Sequence, residues 1–139
     1  MMGFQHLPIL AVDPGRLKCG LALLELQRVV LKEVVSRTET VNRIVELLPS
    51  NGPIIVGDRT GSKEFIEELL AAIPHISNRV EPTDEHLSSV QARQRYWLEH
   101  PPQGWHRLVP VSLQVPPVPI DDYVAVILAE RYLAKMLGN

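Results

Sequence analysis

ILAVDPGRLKCGLALLEL, residues Ile9 to Leu26, is the stretch on which the fold turns. Ile9, Leu10, Ala11 and Val12 form a continuous apolar run of the kind found in buried strands. Asp13-Pro14-Gly15 stops it, because proline fixes φ and glycine tolerates φ > 0. Gly20 opens a second apolar run, GLALLEL, which reads as the antiparallel partner of the first. A carboxylate, Asp13, therefore stands at the end of a central strand, backed by a polar loop that carries Arg16 and Lys18. Taken alone, Asp-Pro-Gly is an ordinary reverse turn. The placement also suits a metal ligand, and the rest of the chain bears on which reading holds.

The chain has 139 residues, enough for one well-packed domain over 1–139 and too few for two ordinary ones. Hydrophobic residues make up 45% and charged residues 22%, a balance that excludes global disorder. The N-terminus, MMGFQHLPILAV, has no basic region before its short apolar run, and no run approaches membrane-spanning length, so a cytoplasmic protein without membrane contact is expected. The single cysteine, Cys19, excludes an internal disulfide and a cysteine-rich zinc site, and beside Gly20 it reads as a small core residue. A net charge of −2 offers no general attraction to nucleic acid, so any such binding needs a local basic patch.

Further along, Arg28 to Arg37 alternates as a third strand and completes a meander. In Glu39 to Leu48, the residues Val41, Ile44, Val45 and Leu48 recur at helical spacing, and Pro49-Ser50-Asn51-Gly52-Pro53 ends the helix. Ile54-Ile55-Val56-Gly57 is a short apolar strand of the parallel, buried type. Asp58-Arg59-Thr60-Gly61-Ser62 follows, with Ser62 expected as the N-cap of a helix that carries Phe65, Ile66, Leu69, Leu70 and Ile73 on one face. The next strand is expected at Ile76 to Val80, ending in the turn Glu81-Pro82-Thr83-Asp84-Glu85. A helix from Leu87 to His100 should turn Val90, Tyr96, Trp97 and Leu98 inward. Pro101 to Pro119 is proline-rich and reads as a packed surface loop, and the final helix, Asp121 to Leu137, is apolar enough to be mostly buried. The expected fold is α/β: a mixed five-stranded sheet, antiparallel meander plus parallel strands, flanked by helices.

Acidic residues mark three element boundaries on this framework: Asp13, Asp84-Glu85 and Asp121-Asp122. Parallel strands present their C-terminal ends on one side of a sheet, so Asp13 and Asp84-Glu85 can converge there alongside Asp58. Two carboxylates about 4 Å apart repel by roughly 4 kcal/mol at an effective dielectric near 20, so the cluster calls for a cation or raised pKa values. All-oxygen ligands favour Mg²⁺ or Mn²⁺ over zinc, and such ions activate water against phosphodiesters. Taken singly, Asp58 and Asp84 also read as turn residues, and Asp121 or Asp122 as a helix N-cap. Periodicity does not separate Asp121 from Asp122.

With these residues in view, ILAVDPGRLKCGLALLE resembles the opening of the YqgF/RuvX family, Holliday-junction-resolvase-like proteins with an RNase H-like fold. TDEHLSSVQAR is similar to that family's DERLTT-type motif, and IDDYVAVILAERYL to its closing helix. IVGDRTGSKEF looks more like the GNGT-serine loop of the YqgF domain in Tex-type transcription factors. The resemblance spans most of the chain and is poor over Pro101 to Pro119. It implies Asp13, Glu85 and Asp121 as metal-binding, catalytic carboxylates, with Asp121 preferred to Asp122 for its spacing to Ala125 and Tyr132. The implied activity is metal-dependent cleavage of structured nucleic acid, either maturation of the small-subunit ribosomal RNA precursor or cutting of branched DNA. His86 stands where the family has arginine, Leu17-Lys18-Cys19 alters the basic loop, and Asp58 adds an acid.

Arg16, Lys18, Arg59 and Lys63 lie on loops expected to edge the same side of the sheet, where they could hold phosphates or simply be solvated. Backbone N–H groups from Thr60 through Ser62 to Lys63 form a potential anion site at a helix start. Tyr96, Trp97 and Trp105 could stack on bases, with buried packing the better reading of the first two, and His86 reads as a proton shuttle or a turn residue. The leading expectation is a Mg²⁺- or Mn²⁺-dependent nuclease on structured RNA or DNA, monomer or homodimer. A catalytically inactive nucleic-acid- or protein-binding module on the same fold is the alternative. An actin-like ATPase fold normally needs two such domains, and this length supplies one.

Overall fold

The computed structural model describes residues 7–138. Its strands and helices run β1 (Ile9–Asp13), β2 (Lys18–Glu25), β3 (Arg28–Ser36), α1 (Thr40–Leu47), β4 (Ile54–Gly57), α2 (Ser62–Ala72), β5 (Val80–Thr83), α3 (Ser88–Glu99) and α4 (Asp121–Gly138). The lack of a basic targeting segment was an expectation about residues 1–6, which lie outside the described residues. No helix among the described residues is long and apolar enough to cross a membrane.

The five strands form one sheet in the order β3-β2-β1-β4-β5. β1 is central, antiparallel to β2 and parallel to β4, and β4 is parallel to β5. This is the mixed sheet expected from the alternation of elements. Side chains alternate between the faces of each strand, so β1 feeds two cores. Ile9 and Ala11, with Ala22, Leu24 and Ile55, pack under α4 and α3. Leu10 and Val12, with Leu21, Ile54 and Val56, pack against Ile44 of α1 and Phe65 and Leu69 of α2. The same alternation places Asp13 on the α4 face, two residues beyond Ala11. Helix α4 is buried from Tyr123 through Ala129, as its apolar run requires.

Local chemistry moved several expected boundaries. β2 begins at Lys18 rather than Gly20, because Lys18 and Cys19 pair with Ser36 and Val35 of β3. Leu26 and Gln27, both at positive φ, make the hairpin turn instead of extending the strand. β5 is Val80–Thr83, not Ile76 to Val80. Ile76 is buried in a single 3₁₀ turn, whereas Pro82 lies within β5 opposite Val56. β5 is an edge strand, and an edge can accept the missing N–H of proline. Gly61, at φ 93°, caps α2, and Ser62 is its first helical residue. Along α3, Ser88, Ala92 and Tyr96 face inward at a spacing of four residues, which turns Val90 and Leu98 outward, 43% and 79% exposed. Trp97 is half-buried. The proline-rich segment makes short 3₁₀ turns at Gly104–Leu108 and Val111–Leu113 and leaves Trp105, Leu108 and Leu113 in solvent, so it is less packed than expected.

One contact sets where α4 begins. Gly20 pairs with Asp13 across β1 and β2. A Cβ on Gly20 would overlap the backbone carbonyl of Asp121 and crowd the amide of Asp122. The absent side chain thus lets the first turn of α4 rest directly on the sheet. Because the clashing atoms are backbone, Gly20→Ala should cost about 1–3 kcal/mol of stability. Thermal unfolding should show this as a lower melting temperature, with Gly138→Ala, where nothing lies within 4 Å of the added carbon, as the near-neutral control.

Candidate functional site

β1, the turn after β5 and the start of α4 meet at one end of the sheet, and each contributes one acid. Asp13 is buried at the end of β1, 1% exposed. Its Oδ1 has no hydrogen-bond partner. Glu85 lies in the turn between β5 and α3 and is almost as buried. Its carboxylate rests over Gly57, the last residue of β4, where a Cβ would overlap it. Gly20 and Gly57 thus stand on the strands to either side of Asp13, one admitting Asp121 and the other Glu85. Asp121 is half-buried at the start of α4.

The turn bearing Glu85 is held from several directions. Asp58 Oδ1 accepts the Glu85 N–H at 3.1 Å, and Asp58 N–H donates to the Thr83 carbonyl at 3.0 Å. Asp84 Oδ1 accepts the His86 N–H at 2.9 Å. Arg131 reaches from α4 to the carbonyls of Asp84, at 2.9 Å, and His86, at 2.6 Å. Asp58 and Asp84 are therefore committed to shaping the turn, and His86 is exposed beside it. Arg131 was not singled out from the sequence, where it is one more polar residue on an amphipathic helix.

Arg59, expected on the loop edge as a cation for phosphates, lies among the acids. Its backbone N–H donates to Glu85 Oε2 at 2.8 Å, and Nε lies 3.1 Å and 3.2 Å from the two Glu85 oxygens. Nη2 lies 3.0 Å from Glu85 Oε1 and 3.4 Å from Asp13 Oδ1. Attraction to Asp13 and Glu85 outweighs the burial that opposes its charge, so the Arg59 pKa is raised further and the guanidinium stays protonated. The only sequence signal for this role was adjacency to Asp58, which is too common to carry it.

Burial, reinforced by a hydrogen bond to Glu85 and by its charge, pushes the Asp13 carboxyl up to about 8, against a partial pull from Arg59. Burial also raises Asp121, with Arg59 and Lys18 opposing the shift. Asp122 points elsewhere, with Oδ2 3.5 Å from Lys32 Nζ of β3 and Oδ1 accepting the Tyr123 N–H at 2.9 Å. Periodicity left the two acids equivalent; in the structure Asp122 is paired with Lys32, whereas Asp121 makes no ion pair among the described residues.

Arg16 and Lys18 are exposed beyond Asp13, and Lys63 is exposed in the first turn of α2. A cleft lined by Pro14, Gly15, Arg16, Arg37, Thr60, Gly61 and the acidic Glu64 joins the loops after β1 and β4, and Ser62 is half-buried. Among the described residues, no group of three or more acidic, histidine or cysteine side chains is spaced to hold a metal ion as the side chains stand. Arg59 occupies the space between Asp13 and Glu85.

No protein-family model matches the sequence, and no curated protein matches it. Among solved structures, the chain is similar to Thermus thermophilus RuvC in complex with a Holliday junction substrate, with 18% identity and a TM-score of 0.55 over 95% of this chain and 97% of that one. It is also similar to another structure of Thermus thermophilus RuvC, at 16% identity and a TM-score of 0.57 over 96% and 98% of the two chains. The chain therefore has the RNase H-like fold of these proteins.

The raised Asp13 pKa has a consequence for stability. A folded-state pKa above the unfolded value contributes stability that is fully present below the unfolded value, near 3.8, and is lost as pH rises through about 8. In chelator, Asp13→Asn should remove this loss and be more stable than wild type at pH 8, seen as a higher melting temperature. The gain should shrink towards zero near pH 4. Melting temperatures of both proteins across that range test it, and a pH-independent difference would reject it.

Proposed function

We propose that this chain is a metal-dependent nuclease that cleaves phosphodiester bonds in structured nucleic acid, as one RNase H-like domain over 1–139 of the YqgF/RuvX kind. The observation that carries the proposal is the buried Asp13 carboxylate with an oxygen free of hydrogen bonds, flanked by two glycines whose missing side chains admit Glu85 and Asp121. Burying two acids together, with a third half-buried beside them, is costly for a role in stability alone. The set suits a hard divalent cation: every donor is a carboxylate oxygen, and Asp13 Oδ1 has unused lone pairs.

Asp13, Glu85 and Asp121 would hold Mg²⁺ or Mn²⁺. Such an ion, when bound, supplies Lewis-acid polarisation of the phosphoryl group and a nucleophile at neutral pH. Asp13 anchors the site from the rigid central strand. Asp58 and Arg131 keep the Glu85 turn in place, and Asp84 closes that turn on His86. Arg16, Lys18 and Lys63 position the backbone of the nucleic acid, aided by the amides from Thr60 to Ser62 at the start of α2, which add fixed positive potential without reading sequence. Asp122 braces α4 against Lys32 and takes no part in the reaction. The substrate is a branched DNA junction or a folded ribosomal RNA precursor, met in the cytoplasm.

A catalytically inactive binding module on the same fold is the second reading, and one observation favours it. Arg59 already neutralises part of the acid pair, as an ion-pair network would in a site that has no further use for a metal.

Cleavage of a labelled four-way DNA junction and of a small-subunit ribosomal RNA precursor fragment, with Mg²⁺, with Mn²⁺ and with chelator, separates the two. The wild type should cut at least one of them only with metal, and Asp13→Asn should lose a hundredfold or more of the rate, roughly the scale expected for losing a charged group that acts in the transition state. Retained turnover in that variant rejects the assignment of Asp13. Absence of cleavage, with salt-sensitive binding by both proteins, establishes the binding module.

A further inference from the structure

We infer that Arg59 is a built-in counter-cation that competes with the divalent metal for the oxygens of Asp13 and Glu85, so that loading the site requires the guanidinium to swing out. The inference rests on the metal-dependent reading above and adds to it a residue that sets metal affinity.

Three observations point the same way. The guanidinium faces the atoms a metal would need, with Nη2 bridging Glu85 Oε1 at 3.0 Å and Asp13 Oδ1 at 3.4 Å. It fills this position imperfectly: Asp13 Oδ1 is attracted to it yet receives no hydrogen bond, so one donor atom of the site is kept in reserve. Arg59 is also able to leave, since its side chain is 40% exposed and it stands on a loop that turns at Gly61, φ 93°. Its backbone N–H to Glu85, at 2.8 Å, does not depend on the side chain and would keep Glu85 oriented after the guanidinium has moved.

The chemistry makes the two cations mutually exclusive. A carboxylate oxygen that ligates a small dication cannot also face a guanidinium at salt-bridge distance without placing two positive charges within a few ångströms of each other. In the metal-free protein the same contact offsets part of the repulsion between Asp13 and Glu85, which helps the acids to be buried before metal arrives.

Calorimetric titration of Mn²⁺ into the metal-free full chain tests the inference without relying on turnover. Four proteins are compared: wild type, Arg59→Gln, Arg59→Lys and the double variant Asp13→Asn/Arg59→Gln, each checked for folding by circular dichroism. Arg59→Gln should bind Mn²⁺ at least tenfold more tightly than wild type. Arg59→Lys keeps a charge but loses the planar fork and should fall between them, at a few-fold tighter. The double variant should lose the gain, which ties the effect to Asp13. Equal or weaker Mn²⁺ binding by Arg59→Gln overturns the inference, and if that variant does not fold, Arg59→Lys binding no more tightly than wild type does so instead. Equal binding by all the Arg59 proteins together with metal-dependent cleavage removes only the competition. No Mn²⁺ binding by any of the four removes both the competition and the metal-dependent reading.

Discussion

A carboxylate buried in the middle of a sheet is the constraint to which the rest of this structure answers. Asp13 ends the central strand, out of reach of solvent, on the face covered by α4. Water would stabilise the ionised form by far more than a dry interior can, so the protein must supply either a proton or positive charge. Both solutions are visible: the pKa of the group is raised, and Arg59 reaches in from the β4–α2 loop. The neighbouring glycines follow from the same constraint. Gly20 admits the backbone of α4 on one side and Gly57 admits the Glu85 side chain on the other, so the first turn of α4 and the Glu85 carboxylate both reach the end of β1 only because two side chains are missing.

The sheet supplies the rigidity this arrangement needs. β1 is paired on both sides and packed on both faces, so Asp13 projects from a strand fixed from every direction. Glu85 and Asp121 come from boundaries instead, a turn and a helix start, where backbone conformation is freer. Each is held by named partners: Asp58 and Arg131 hold the Glu85 turn, while Asp122 and Lys32 secure the first turn of α4 against β3. One acid on a central strand and two on braced boundaries form a preorganised set.

The electrostatic balance is local. The net charge of −2 describes the molecule poorly, because Arg59 is held inside the acid cluster while Arg16, Lys18 and Lys63 are exposed around it. With Arg59 paired to Asp13 and Glu85, the exposed cations of this end of the sheet are Arg16, Lys18 and Lys63, and the pairing makes the acid pair tolerable in the protein as it stands.

By itself the sequence determined the sheet and its helices, because hydrophobic periodicity is a local property with a strong signal: the Ile9 to Leu26 hairpin, the parallel Ile54 to Gly57 strand and the buried final helix could all be read from it. It also placed acids at the ends of those elements, since Asp-Pro-Gly and Thr-Asp-Glu interrupt apolar runs. It misplaced β5, because Pro82 signals a turn unless the strand lies at a sheet edge, and edge position is decided by strand order. From the sequence, only a resemblance favours Asp121 over Asp122; the tertiary structure gave Asp122 its own partner in Lys32, turned Asp58 into a brace for Glu85, and moved Arg59 from the rim into the cluster. Those assignments depend on where side chains from distant segments point once the two cores are closed, and neither periodicity nor spacing along the chain encodes that direction.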